Sequence, residues 1–266
     1  MSKKQIEIIH KDSEIVVLNK PSGISVTKDR TGAEQLTDLL RTQFDDTFVE
    51  SLRLIHRLDK DTSGVLVLAR TLQAQAEFTS YFEKRIVKKI YLAFVKGFVK
   101  DSEGVIETPL SRNPSNTNLM RIDLKKGKDA LAQWNLLADF GSIALLKIQP
   151  LTGRTHQIRV HLPSIGLPLA IDPLYGNSRY IFLSDFKTGY RLGKGQTEKP
   201  LIDRLTLHAY QIELPERKNR TSKLFIAGLD KKFTAALKML TKYNQIGLDA
   251  FIKPDIYSTI TNKQRL

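Results

Sequence analysis

RLIHRLDKDTSGVLVLAR, residues 53–70, divides at its middle into two kinds of sequence. Val65 to Ala69 is a short apolar run and predicts a buried strand. Residues 53–61 instead hold two arginines, one histidine, one lysine and two aspartates. Charge of that density against an interior strand needs a reason. Asp59 falls between Leu58 and the turn Lys60-Asp61-Thr62-Ser63-Gly64, which places its carboxylate at the mouth of a sheet. A substrate there would exclude water, and a cationic partner would have to hold the charge. A plainer reading is equally open from these residues: Asp59 or Asp61 caps the turn, with Thr62 and Ser63 satisfying neighbouring backbone groups.

A chain of 266 residues with 41% hydrophobic residues is long enough to bury a substantial core. Its formal net charge of +14 points to a polyanionic partner, because Lys and Arg gain free energy by releasing counterions condensed on phosphates. A merely soluble basic protein is the bland alternative. An anionic membrane is the third, but no stretch forms a concentrated polybasic amphipathic helix. The absence of cysteine excludes disulfides, thiolate zinc sites and cysteine nucleophiles, and is compatible with a reducing cytosol. The N-terminal charges interrupt any signal-peptide core, and no segment reaches the roughly 20 apolar residues that span a bilayer. The expected location is cytoplasmic.

Along the chain, β-branched runs at 5–9 and 14–19, separated by HKDS, predict an opening strand pair. Pro21 and Gly23 then fix an irregular loop. Ala33, Leu36, Leu40 and Phe44 have helical spacing within 32–44, and Ala74, Phe78, Tyr81 and Phe82 form the stripe of a second helix over 71–85. Residues 89–97 predict a strand, and 130–138 with 142–149 a hairpin turning at Phe140 and Gly141. Residues 184–204 read as a long loop and 207–214 as a last strand, followed by a charged turn at 216–220. Phe233, Ala236, Leu237 and Leu240 define a closing helix. The expected fold is α+β, a mixed, mainly antiparallel sheet with helices packed against it. A single catalytic domain is expected over 1–243, with 244–266 a C-terminal tail, partly mobile.

Several chemistries have no motif here. The chain has no phosphate-binding G-x-x-x-x-G-K-[ST], no dinucleotide G-x-G-x-x-G and no nucleophile elbow G-x-S-x-G. HRLD differs from the kinase H-R-D by an intervening Leu. His156 and His161 stand five apart, off any shared helical face and without an acidic ligand at metal spacing, so no metal site is expected.

A second charged cluster is LTGRTHQIRVHL, 151–162. Gly153 gives a tight turn, and a helix from about 155 turns Ile158 and Leu162 inward. Arg159 then lies beside the apolar face, where a partly buried guanidinium needs a carboxylate and would keep it ionised. An ordinary surface helix with solvated Arg154 and Arg159 is the alternative. Pro163 should kink or end the helix.

HRLDKDTSGVLVLAR resembles the central motif of the RluA-type pseudouridine synthases. KPSG, KIYLAFVKG, LTGRTHQIRVHL, GLPLAIDPLYG and RLTLHAYQIELP resemble the family's other motifs, in the family's order, over about residues 10–240. The short segment before the first strand leaves no room for the S4-type RNA-binding domain of many relatives, so affinity is expected from the catalytic domain itself.

The resemblance implies a pseudouridine synthase-like catalytic core with a central RNA-binding cleft. It further implies conversion of uridine to pseudouridine in structured RNA, ribosomal or transfer, without metal or organic cofactor and by a monomer. Asp59 corresponds to the family's essential aspartate, acting as nucleophile at the sugar or as the base that forms a glycal. Arg159 is implied as its ion-pair partner, and Tyr91 as the tyrosine against the target base. Arg57 would fill the stack left by a flipped nucleotide, or bind phosphate, and Ile158 would wall the base pocket. Arg154 and His156 join these as RNA- or base-binding residues. The basic residues of 187–204 and 217–223 would hold the RNA backbone. The competing class is a non-catalytic RNA-binding protein with the same fold, and a third reading is a hydrolase that releases uracil without rejoining it.

Overall fold

The computed structural model describes residues 5–27, 34–176, 178–215 and 222–266. The charged turn expected at 216–220, most of the basic stretch 217–223, and Ala33 lie outside the described residues. The chain divides into two compact units, Met1–Ile90 with His208–Gly228, and Tyr91–Leu207 with Leu229–Leu266.

In the first unit, strands β1 (Glu7–Lys11) and β2 (Ile15–Lys20) pair antiparallel. Asp12 shapes the turn between them, its Oδ1 accepting from the Glu14 and Ile15 amides, both at 2.8 Å. Helix α1 (Leu36–Arg41) ends short of the expected Phe44. Gln43 is drawn off the helical pattern because its side-chain amide exchanges two hydrogen bonds with the backbone of Ile6, at 2.8 and 3.0 Å. A helix not expected from the periodicity, α2 (Asp46–Ser51), follows under an Asp45 cap whose Oδ1 accepts from the Phe48 amide.

Residues 53–70 fold back on themselves. Strand β3 (Arg53–Leu54) pairs antiparallel with the far end of β4 (Ser63–Ala69), Arg53 opposite Ala69, so the charge falls in the connection 55–62. All seven residues of β4 are buried. It begins before the apolar run because Ser63 and Gly64 pair in parallel register with His208 and Ala209. Gly64 has φ +117°, and a Cβ there would meet the Ala209 carbonyl oxygen at 2.1 Å. Gly64→Ala should therefore cost about 3 kcal/mol or more in a urea titration. Helix α3 (Leu72–Glu83) is capped by Thr71 and buries Ala74 and Phe78.

Strand β5 (Lys88–Val95) carries the chain into the second unit at Tyr91. Strands β6 (Glu103–Glu107), β7 (Leu110–Arg112) and β8 (Met120–Ile122), all unexpected from sequence, precede the hairpin of β9 (Leu131–Asp139) and β10 (Ala144–Pro150). The hairpin turns at Phe140 and Gly141 as expected, Gly141 at φ +84°. β10 lies between β5 and β9, β6 edges β9, and β7 pairs with β8 apart, all antiparallel. Helix α4 (Gln157–Ser164) includes Pro163 in its last turn and stops one residue beyond it. Ile158 and Leu162 face a core with Ala93, Leu146, Ile148 and Leu169.

Strand β11 (Leu207–Leu214) returns the chain to the first unit, where β12 (Lys223–Ile226), not expected from sequence, pairs with it antiparallel. Helix α5 (Lys231–Tyr243) buries all four expected residues, and Phe233 stacks on Phe94 with ring centroids 4.4 Å apart. Residues 244–266, the expected tail, carry a 3-10 turn and helix α6 (Asp255–Thr261) with Ile256 and Ile260 buried. Before that helix, the Ile252 amide donates to Leu137 O at 2.9 Å.

Candidate active site

The candidate residues fall into two sets, one in each unit. In the first, Asp59 occupies a turn held through its main chain. The Thr62 amide donates to Asp59 O at 3.2 Å, and the Gly23 amide donates to Lys60 O at 3.0 Å. Ser22 Oγ donates to Asp61 O at 2.6 Å. Lys20, fully buried, donates from Nζ to Pro21 O, Ile24 O and Lys60 O at 2.8–2.9 Å. The KPSG segment is thus a clamp on the acidic turn. A buried ammonium facing carbonyls makes charge-assisted bonds worth about 1.5–3 kcal/mol each.

The exit of the turn is fixed by a network that sequence reasoning missed. His208 Nε2 donates to Ala227 O at 3.0 Å, so Nδ1 accepts from Ser63 Oγ at 2.9 Å, and the ring is fully buried. Sequence reasoning does not single out His208 in LHAYQIEL, because nothing in the chain names its partner. Asp59 itself is half-buried, with Leu58 and Thr62 buried on either side, and Arg57 is exposed.

His56, three residues before Asp59, accepts from the Val67 amide at Nε2 over 3.0 Å, and its ring stacks on Phe82 at 4.5 Å. Burial, and then the charge of Lys89, push its pKa down to about 3. Between about pH 6.5 and pH 3 the unfolded chain binds a proton here that the folded chain refuses, so stability present above pH 6.5 is lost as pH falls. The expected slope is up to about 1.4 kcal/mol per pH unit. His56→Asn should flatten this part of the pH dependence of urea unfolding.

In the second unit, Tyr91 stands opposite Ile148 and packs against the core that contains Ile158. Arg159 is 2% exposed, more deeply buried than its position suggested. Its Nε donates to Asp172 Oδ2 at 2.9 Å and its Nη2 to Asp172 Oδ1 at 2.7 Å, a two-bond pair with a carboxylate that is also 2% exposed. Asp172 Oδ1 also accepts from the Leu174 amide at 3.0 Å. Sequence reasoning did not single out Asp172, although a lone aspartate after LPLAI is a detectable signal of a buried pair.

Tyr175 lies under this guanidinium, Arg159 Cζ being 5.3 Å from its ring centroid. Its hydroxyl accepts from the Met120 amide and shares a hydrogen bond with His156 Nδ1, both at 2.7 Å. His156 caps α4 with φ 51°, a left-handed conformation uncommon outside glycine. Gln157 closes the preceding loop, Oε1 accepting from Thr152 Oγ1 and the Arg154 amide, and Nε2 donating to Leu131 O. Arg154 points elsewhere, its Nε donating to Asp129 O at 2.9 Å. Among the described residues no group of three or more His, Cys, Asp or Glu side chains is placed to hold a metal ion, and no helix is long and apolar enough to cross a membrane.

A mixed, mainly antiparallel sheet carrying an acidic turn clamped by a buried lysine belongs to the class of pseudouridine synthase domains. The solved structure of Human RNA Pseudouridylate Synthase Domain Containing 4 matches it with a TM-score of 0.65 and 27% identity, over 88% of this chain and 92% of that one. Residues 14–164 match the family model described as RNA pseudouridylate synthase. Ribosomal large subunit pseudouridine synthase D of Borreliella burgdorferi is 32% identical over 91% of this chain and 71% of its own. Ribosomal large subunit pseudouridine synthase C of Vibrio parahaemolyticus is 35% identical over 89% and 70%. The chain belongs to this family, as an RluA-type pseudouridine synthase, and is an isomerase.

Proposed function

We propose that this enzyme isomerises uridine in ribosomal RNA, with Asp59 as the essential carboxylate. The observation that carries the reading is the build of the 59–62 turn, whose carbonyls are taken by Lys20, Ser22, Gly23 and Thr62. A turn fixed through its main chain gives an acid a defined position. The ribosomal substrate rests on the names of the two bacterial relatives. Transfer RNA is the other structured substrate the motifs admit.

In the reaction the bond between C1′ and N1 breaks, the uracil turns, C1′ joins C5, and the C5 proton leaves. Asp59 either attacks C1′ or removes the sugar proton that yields a glycal, and both routes need the carboxylate ionised. Arg159 supplies the positive charge that favours that state, and Asp172 holds Arg159 in one orientation. Tyr91 lies against the base and assists loss of the C5 proton. A stacked uridine hides C1′ and C5, so the nucleotide turns outward, and the exposed Arg57 fills its place. Ile158 walls the base, while Arg154, His156 and the basic stretch 187–204 hold RNA. In this reading residues 1–243 act as one catalytic domain, a monomer in the cytoplasm, with 244–266 appended.

Mapping pseudouridines in cellular RNA with and without the gene tests it. The loss of one or more ribosomal pseudouridines is expected. An unchanged ribosomal map would overturn the assignment, and a loss confined to transfer RNA would move the substrate there.

A further inference from the structure

In the second unit the acids near α5 are already taken, while cations at its carboxyl end are not. Asp203 pairs with Lys232, Asp230 with Arg204 and Asp185 with Arg179. Glu198 Oε1 accepts from the Ser184 amide. Lys231, Lys238 and Lys242 are exposed at the spacing of one helical face. Among the described residues no carboxylate pairs with any of them, nor with Lys187.

Two of these ammonium groups converge on one aromatic ring. Lys187 Nζ lies 4.6 Å and Lys242 Nζ 5.1 Å from the centroid of Tyr243, so the two charges stand within about 10 Å of each other, one screening length at 0.1 M salt. Lys187 Nζ also lies 5.7 Å from the centroid of Tyr190. Ring and charge thus alternate along the row Tyr190, Lys187, Tyr243, Lys242. Both rings are half-buried, and neither hydroxyl has a hydrogen-bond partner among the described residues. The row draws on a loop and a helix end that carry none of the residues assigned to the chemistry.

Like charges this close repel, and a polyanion removes the repulsion. The interleaved rings select the kind of polyanion. A duplex keeps its bases stacked inside and offers phosphates, whereas an unpaired strand also offers base faces. We propose that Tyr190, Lys187, Tyr243 and Lys242 form a docking row for an unpaired segment of the RNA, with bases against the tyrosines and phosphates at the lysines, a proposal that rests on the isomerase reading for the identity of its ligand. On binding, a base displaces an ammonium from the ring face, and the freed cation takes the adjoining phosphate. The exchange is favourable because a base stacks on an aromatic ring more strongly than an exposed ammonium holds to it. The start of the basic stretch 187–204 thereby works together with the end of α5.

The test follows binding of the full chain to fluorescein-labelled oligoadenylate, which holds no uridine for the active site, and to an RNA duplex of the same length. Fluorescence anisotropy is read over a series of KCl concentrations. Tyr243→Leu should weaken oligoadenylate binding at least about fivefold and leave the salt slope and the duplex affinity unchanged. Tyr243→Phe should bind as the native chain does. The paired substitution Lys187→Gln with Lys242→Gln should lower the slope of log Kd against log salt by about 1.4, the value for two phosphates of a single strand. A native slope in the paired variant overturns the proposal whatever its thermal midpoint, because lysines that only pack on the ring alter the midpoint and not the slope. Native affinity of Tyr243→Leu for oligoadenylate, or equal weakening of oligoadenylate and duplex, also overturns it. Tritium release from RNA labelled at uracil C5 keeps the two readings apart. Release by the native chain beside an unchanged slope in the paired variant removes the row and leaves the isomerase. A lowered slope without release by the native chain supports the row and removes the isomerase.

Discussion

Asp59→Asn is expected to lower the rate of tritium release from RNA labelled at uracil C5 by at least about 10⁴-fold, with little change in stability or RNA affinity. The size follows from the chemistry, since a neutral amide is neither nucleophile nor base, and a loss of that order removes about 5.5 kcal/mol of transition-state stabilisation. The selectivity follows from the structure. The bonds that hold the turn run to the carbonyls of Asp59, Lys60 and Asp61, and Asn leaves all of them in place. If release persists at a comparable rate, Asp59 has no part in the reaction. If release and thermal midpoint fall together, the side chain is structural.

Asp172→Ala is expected to cost about 3–5 kcal/mol in stability, the range for removing one partner of a buried ion pair. The carboxylate lost takes two N–H groups of Arg159 and the Leu174 amide. The paired substitution Arg159→Met with Asp172→Leu should recover most of the stability, because a buried pair is often replaceable by apolar volume. It should not recover activity. Urea unfolding of the three variants decides the first part, and a cost below about 1 kcal/mol for Asp172→Ala would show that the pair holds little. Activity in the paired variant would show that the guanidinium is dispensable.

The elements legible in the sequence are those whose apolar residues form either a helical stripe or a short dense run. α5 follows the stripe Phe233, Ala236, Leu237 and Leu240, which faces one core, and β11 coincides with LHAYQIEL, buried along nearly its whole length. β7 and β8 escape notice at three residues each, too short for an alternation to stand out, and they lie in a polar stretch. α2 is only six residues long, and its signal is the Asp45 cap rather than a stripe. β4 shows a different limit. Its apolar half is plain, but Ser63 belongs to it because β11 lies alongside, the Ser63 to His208 bond spanning a separation of 145, and Gly64 pairs both with Ala209 of β11 and with Lys20 of β2.

The functional residues divide in the same way. The need of Arg159 for a carboxylate could be read from its place beside an apolar face. The lone aspartate after LPLAI marks Asp172 as a buried acid, but that it meets Arg159 could not be read, because helix geometry fixes where a side chain leaves the backbone and the fold alone decides what meets it. The KPSG segment reads as a loop and as one of the family motifs, with no role for its lysine. Its part in holding the acidic turn rests on Lys20 reaching a carbonyl 40 residues away in the chain. His56 carries no sequence signal of its low pKa, which comes from burial beside Phe82 and Lys89.

The most direct measurement is nucleoside analysis of digested ribosomal RNA after incubation with the native chain and with Asp59→Asn. The native chain should yield one pseudouridine for each tritium released from C5 and no free uracil, and Asp59→Asn should yield neither. Free uracil in place of pseudouridine, or pseudouridine formed by Asp59→Asn, would contradict the assignment of Asp59 as the carboxylate of an RNA isomerase.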